Sequence, residues 1–260
     1  MNSSQQVKNY WEERAKDDKE ATSTTNDIYL RAIEQRILLE KCRELPNSSV
    51  IDVGCGDART TASLASSLPD STFLGIDYAD HMISNASVLH SRVKNLDLLV
   101  ADCATGLPGE MIASRFDIAY TTRCLINIME NKQRLNAFHF IHKTLRPGGF
   151  YLMIENFIEG HNAFNQARVA ASLPPIPVRP HNRYFDVGEI NSIVSEGMFR
   201  LEESLNISST YYLATRIVYS KLCQDMGVEP DYYDPHHRIS SLLPFAGDFG
   251  PVYLKVLRKI

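Results

Sequence analysis

Two glycines one residue apart, at the end of a β-branched run, are the first chemical handle in this chain: Ser49-Val50-Ile51-Asp52-Val53-Gly54-Cys55-Gly56-Asp57-Ala58. A buried strand that breaks into bare backbone and then into helical sequence makes a turn that a ligand can approach closely. A second apolar run ends 23 residues after Gly54 in Asp77. A carboxylate at the end of the second strand can accept hydrogen bonds from both hydroxyls of a ribose. Turn and carboxylate together predict an adenosine-containing ligand over the first two strands.

The remainder of the turn narrows the choice. A dinucleotide fingerprint needs a third glycine three positions after Gly56, where it brings helix close to strand and serves the pyrophosphate. Arg59 stands there, and no Lys-Ser or Lys-Thr follows the turn, which excludes a P-loop. Asp52, two residues before the first glycine, would repel a phosphate but can organise a cationic, amine-bearing ligand. Ribose, positive charge and no phosphate describe S-adenosylmethionine.

The segment 50–58 resembles the first motif of class I S-adenosylmethionine-dependent methyltransferases. Three further segments fall in that family's order and spacing: Leu74-Gly75-Ile76-Asp77-Tyr78, Leu99-Val100-Ala101-Asp102-Cys103 and Leu145-Arg146-Pro147-Gly148-Gly149-Phe150. The resemblance is close over residues 45–156 and holds in outline elsewhere. Ala58 departs from it, standing where the family usually has a third glycine. The resemblance implies that Gly54, Cys55 and Gly56 approach the amino-acid half of the cofactor, that Asp77 holds the ribose, and that Tyr78 and Met82 lie against the adenine. It implies that Asp102 accepts from the adenine amino group while the Cys103 backbone reads the ring edge. Thr122 and Arg123 follow the fourth strand, where the methyl-donating sulfur faces the substrate. Plainer roles stand beside these: a turn cap for Asp102, a helix-core position for Met82, and a small residue, not a nucleophile, at Cys55.

These residues need a scaffold, and the hydrophobic pattern supplies one. Residues 1–44 read as two helices; the second, over 27–42, carries Leu30, Ile33, Ile37 and Leu38 at helical spacing behind an Asn26 or Asp27 cap. Short apolar runs at 50–53, 73–77, 96–100, 117–121 and 150–155 have the character of buried parallel strands. A helix over 131–145 ends at Arg146-Pro147-Gly148-Gly149, and Asp186-Val187-Gly188-Glu189 opens another that stops near Gly197. Strand-like runs at 199–208 and 251–258 close the chain. The expected fold is α/β: a doubly wound, seven-stranded, Rossmann-like sheet with a terminal antiparallel strand pair, N-terminal helices and two lid insertions. All 260 residues are expected to form one methyltransferase domain, with a helical cap (1–44), a cofactor-binding core (45–156) and insertions at 157–184 and 209–248.

The insertions follow late strands, where long connections build lids and substrate walls. They hold the substrate candidates: Glu155, Asn165, Arg168, Asn182, Arg183 and Tyr184 around the first, and Tyr211, Tyr212 and Arg216 in the second. Each arginine suits a carboxylate, phosphate or nucleotide-sugar, and each could equally tie the lid to the core through an ion pair. The whole pattern resembles small bacterial methyltransferases of surface-polysaccharide and small-molecule pathways. If the acceptor is a hydroxyl, a base is useful, and His181 is the chosen histidine, with His236 and His237 as alternatives. His139 and His142 read as structural or surface residues.

Composition sets the outer limits. A formal net charge of −4 with no basic stripe argues against a nucleic-acid substrate. No Asn-Pro-Pro-Tyr or Asp-Pro-Pro-Tyr follows the fourth strand; Thr121-Thr122-Arg123-Cys124 stands there. No apolar run is long enough to span a bilayer, and the five scattered cysteines read as reduced thiols of a cytoplasmic protein. Neither a zincin spacing nor an Asp-Asp doublet is present, so no metal is expected. The expected activity is methyl transfer to an oxygen of a small polar acceptor, such as a sugar, nucleotide-sugar or phosphorylated metabolite, by a monomer or homodimer. N-methylation of a small amine or amino sugar, and a non-catalytic S-adenosylmethionine-binding regulator, are the alternatives.

Overall fold

The β-branched runs are too apolar to meet water on either face. In the computed structural model of the chain, which describes residues 3–17, 25–105 and 115–260, they occupy the middle of one mixed sheet. Its strands are β1 (Ser49–Val53), β2 (Thr72–Asp77), β3 (Leu96–Val100), β4 (Phe116–Thr122), β5 (Leu145–Asn156), β6 (Phe199–Asn206) and β7 (Val252–Lys259). They lie in the order β3-β2-β1-β4-β5-β7-β6. The first five strands are parallel, and β7 runs antiparallel between β5 and β6. This is the expected sheet with its terminal antiparallel pair. Strand order reverses at β1, between β2 and β4, and ligands of such sheets settle beyond the strand C-termini at that point.

The helices are α1 (Ser3–Asp17), α2 (Ile28–Arg43), α3 (Arg59–Ser67), α4 (Asp80–Leu89), α5 (Asn131–Thr144), α6 (Ile158–Ala170), α7 (Val187–Ser195), α8 (Ser209–Tyr212), α9 (Ser220–Met226) and α10 (Pro235–Ser240). Side chains alternate across the sheet and fill two cores. On one face, Ile51 and Val53 pack with Phe138 and Ile141 of α5 and Ile190 of α7. On the other, Val50, Phe73, Tyr120 and Leu152 pack with Leu30, Ile33, Ile37 and Leu38 of α2 and Leu64 of α3.

That alternation corrects one reading. Asp52 shares the face of Val50, and its carboxylate is buried beneath α3, accepting the Thr61 hydroxyl at 2.6 Å. It braces the strand–helix unit and does not reach the ligand side of the turn. Burial pushes its carboxyl up to about 7.

Two other segments differ from expectation. Arg146-Pro147-Gly148-Gly149 ends α5, but it does so as the irregular beginning of β5; pairing with β4 starts at Leu145, breaks, and resumes at Phe150. The 209–248 insertion is largely helical, and between α8 and α9 the chain runs as a π-helix, Leu213–Tyr219. There the Thr215 hydroxyl takes the Tyr211 carbonyl at 2.6 Å, and the Arg168 guanidinium takes the Arg216 carbonyl. Side chains drawn into a helix's hydrogen-bond ladder are one recognised cause of departures from α geometry.

The insertions lock to the sheet through close backbone contact at Gly160 of α6. A Cβ there would lie 2.2 Å from the Gly250 carbonyl oxygen, which backbone alone can relieve. Gly160→Ala should therefore lower stability by about 1–3 kcal/mol in urea titration, although alanine is the better helix former by about 1 kcal/mol. A raised midpoint would refute the close packing. Asp52 gives a second test. The folded state holds its proton up to about 7 and the unfolded state releases it near 3.8. Folded protein therefore binds the extra proton between those values, and stability falls as pH rises through that window, by up to about 1.4 kcal/mol per pH unit. Asp52→Asn should flatten that dependence between pH 4.5 and 7; identical slopes for both proteins would show that Asp52 is ionised in the fold.

Candidate active site

The Gly54 turn is built by β2. The Gly54 and Cys55 amides both donate to the Ile76 carbonyl, at 2.8 and 2.9 Å. Asp77 then closes the turn: one carboxylate oxygen accepts the Gly56 amide and the other the Ala79 amide, each at 2.9 Å. Gly54 has φ +82°, and a Cβ on it would fall 2.0 Å from the Cys124 sulfur, so glycine is required twice over. Ala58 keeps φ +53°, the left-handed conformation a glycine would favour, and the turn closes with Ala58 donating to the Cys55 carbonyl.

The opposite lip comes from β4. Arg123 is held at φ +52° with its amide on the Ile154 carbonyl at 2.7 Å. Its guanidinium meets Glu34 of α2, with Nε–Oε1 at 2.7 Å and Nη2–Oε2 at 3.0 Å. Behind it Glu155, wholly buried, accepts three consecutive amides, those of Cys124, Leu125 and Ile126, at 3.1, 2.9 and 3.3 Å. Burial raises its carboxyl to about 7 despite those bonds.

Between these lips, over the C-terminal ends of the central strands, lies a cavity of about 280 Å³. Gly54, Cys55, Gly56, Asp77, Tyr78 and Met82 form its floor on one side; Thr122 and Arg123 stand on the other, and Asn182, Tyr184, Tyr212 and Arg216 of the insertions close over them. Helix α1 covers the Tyr78 side, with Trp11 packed against Met82 and Lys8 over the Tyr78 ring.

Other candidates stand away from the cavity, and in each case a protein partner explains why. Asp102 accepts the Ala104 amide at 2.8 Å and caps a turn. Cys103 is buried against the Cys124 thiol. Glu155 is committed to the three amides. Asn165 pairs with the backbone of Ile176 through both ends of its amide, at 2.9 and 3.0 Å. Arg168 binds the Pro174 and Arg216 carbonyls. Arg183 bonds the Met129 carbonyl, Asn131 and Glu189. The Tyr211 hydroxyl donates to Asp27 at 2.7 Å. Arg183 thus ties the first insertion to the core, and Arg168 ties the two insertions to each other.

His181 does line the cavity, but its ring stacks on Tyr10 of α1 at 4.3 Å with Trp11 at its edge. The ring is thus held against α1. His236 stacks on Tyr219, and His237 receives Arg216 on Nε2 at 2.9 Å; neither lines the cavity.

Sequence reading missed the contribution of α2. Asp27, Arg31 and Glu34 all line the cavity. Asp27 caps α2 through the Leu30 amide at 3.0 Å and also holds the Arg216 guanidinium. Their spacing, i, i+4 and i+7, was visible as a polar stripe beside Leu30, Ile33 and Ile37. Asn127, Asn156, His161, Phe164 and Arg179 were missed too. The side-chain oxygens Asn127 Oδ1 and Asn156 Oδ1 are buried without a hydrogen-bond partner. Among the described residues no group of three or more His, Cys, Asp or Glu is disposed to hold a metal, and no helix is long and apolar enough to cross a membrane.

Known proteins give this geometry a context. Residues 50–149 match the family model described as a methyltransferase domain. The chain is 28% identical over 138 residues to the putative methyltransferase 235L of Invertebrate iridescent virus 6, covering 53% of this chain and 48% of that protein. It is 26% identical over 139 residues to an O-methyltransferase of Pyrenophora dematioidea, covering 54% and 48%. The chain thus matches about half the length of these curated relatives. In fold it is similar to a TehB-like SAM-dependent methyltransferase from Corynebacterium glutamicum, with a TM-score of 0.53 at 15% identity over 88% of each chain.

Proposed function

We propose that the chain transfers a methyl group from S-adenosylmethionine to an oxygen of a small acceptor enclosed by the two insertions. The observation that carries this reading is the Gly54–Gly56 turn fastened under Asp77, facing two buried, unpartnered amide oxygens, Asn127 Oδ1 and Asn156 Oδ1. Unpaired buried acceptors are costly unless a ligand satisfies them. Acceptors on one wall and a carboxylate on the other suit a cationic adenosine compound.

Asp77 would take the ribose hydroxyls on the lone pairs that the Gly56 and Ala79 amides leave. Tyr78, Met82 and Trp11 would flank the adenine. The bound cofactor supplies an electrophilic methyl group on a sulfonium. The protein's part is alignment and exclusion of water: Tyr184, Tyr212 and Phe164 wall the acceptor side, and Arg123 fixes the lip. The relative named as an O-methyltransferase supports oxygen as the acceptor atom. Asp102 and Asp52 take no part in this reading.

Titration calorimetry with S-adenosylmethionine and S-adenosylhomocysteine tests it directly, and absence of binding by both would sink it. Asp77→Ala should weaken both by roughly ten- to a hundredfold, from loss of charge-assisted hydrogen bonds worth about 1.5–3 kcal/mol. An unchanged dissociation constant in a folded variant would remove Asp77 from the site.

A further inference from the structure

The long helical run of the second insertion is apolar on both faces. From Leu213 through the π-helix and α9 to Met226 the helix is unbroken. One face, with Thr215, Ile217 and Cys223, is buried against the rest of the molecule. The opposite face carries Leu213, Val218, Leu222 and Met226, which are between 42 and 67% exposed. A helix bordering water normally turns polar residues outward, and one that is apolar all round belongs between two layers of protein.

The π-helix makes this outer face a single stripe. Val218, Leu222 and Met226 recur every four residues and so share one side of the helix. Leu213 stands five residues before Val218, a spacing that α geometry would place about 140° round the helix. The wider π turn, bonded from i to i+5, brings Leu213 back into line with Val218. Helix α10 lies alongside, where His236 meets the Ala214 carbonyl at 3.0 Å and stacks on Tyr219. Ile239 on α10 and Leu242 just after it are 63 and 70% exposed, and they add to the apolar surface of the insertion.

We propose that this stripe is the contact between two copies of the chain, packed antiparallel about a two-fold axis at Leu222. The stripe is symmetric about that residue. Val218 of each copy meets Met226 of the other, which is the self-complementarity an isologous interface requires. The neighbouring charges are self-complementary as well. Lys221 and Asp225 lie on one flank of the stripe, four residues apart and paired within the chain. In an antiparallel two-fold pair like flanks face each other, so Lys221 of each copy reaches Asp225 of the other. Charge also argues against a lipid surface as the occupant. Lys221 and Arg238 are outnumbered by Asp225, Glu229, Asp231 and Asp234, whereas helices that lie on membranes are rich in lysine and arginine. A stable interface takes about 800 Å² from each partner, more than four side chains supply, so the surface around Ile239 and Leu242 joins the contact and the pair is weak. The inner side of the same helix presents Arg216 to the cavity, and the second copy therefore backs a wall of the site.

Sedimentation velocity of the full chain should show monomer giving way to dimer, with a dissociation constant of about 10 μM for so small an interface. Leu222→Asp, at an exposed position, should keep the circular dichroism spectrum and weaken dimerisation about thirtyfold or more, as loss of a central contact does. Lys221→Asp and Asp225→Lys, each removing two symmetry-related pairs, should weaken it about three- to tenfold. The double exchange should restore it, because opposite charges face each other again. Monomer alone at concentrations about thirty times the expected dissociation constant overturns the proposal. A dimer indifferent to Leu222→Asp overturns it too. Single charge changes that weaken the dimer without rescue by the double exchange overturn the antiparallel arrangement. Flotation of a monomeric chain with phosphatidylcholine vesicles, abolished by Leu222→Asp, would assign the stripe to a membrane instead.

Discussion

One buried carboxylate organises the mouth of this cavity. Glu155, at the end of β5, has no solvent contact and spends its two oxygens on three consecutive amides of the segment after β4. An isolated carboxylate in such surroundings would stay protonated; amide donors are what favour its charge. The consequence is geometric. The chain after Thr122 must turn inward, which places Arg123 in the left-handed region and sets the Cys124 sulfur against Gly54. The Gly54 turn is then defined from two directions, by Ile76 and Asp77 beneath it and by Cys124 across from it. Sheet, cofactor turn and acceptor wall therefore share one electrostatic fixture.

A second set of buried charges joins elements far apart in the chain. Asp27 of α2 holds Arg216 of the π-helix, Arg216 holds His237 of α10, and Arg168 of α6 caps the Arg216 carbonyl. On the far side, Arg134 and Arg183 share Glu189, with Arg134 also lying over the Phe185 ring at 4.1 Å. Breaking a buried pair by removing one partner costs about 3–5 kcal/mol, whereas replacing both by apolar groups is often neutral. Such pairs add little net stability, but they do fix where each lid element sits.

The scaffold was legible because its causes are local and periodic. Apolar runs of strand length became β1 to β5, and the Asp27 cap and the Asp186 capping-box start both appear, each aspartate accepting a backbone amide in the first turn of its helix. The turn was legible through its glycines, since only the backbone conformation they allow makes it. Roles of charged side chains were not. Arg168, Arg183 and Arg216 all lie in the insertions, yet of the three only Arg216 lines the cavity. The difference lies in which carbonyl or carboxylate the fold brings alongside, a long-range fact. Asp102 and Asp77 each accept the amide two residues on, and only Asp77 lines the cavity, a difference that their strand-end positions do not reveal. The π-helix left no periodic trace, and one of the side chains bonded to its carbonyls comes from another helix.

Those long-range ties also decide what chemistry the cavity can host. Glu34 and Asp27 each meet a guanidinium, that of Arg123 and that of Arg216. At Glu34 burial outweighs the arginine and raises the carboxyl above its ordinary range. Glu34 accepts one hydrogen bond from Arg123 Nη2, at 3.0 Å, and its other oxygen, buried in the cavity lining, has no hydrogen-bond partner. The same ion pairs that hold α2 and the lid in place thus leave a buried carboxylate oxygen of Glu34, together with the Asn127 and Asn156 oxygens, as unpartnered acceptors among the residues that line the cavity.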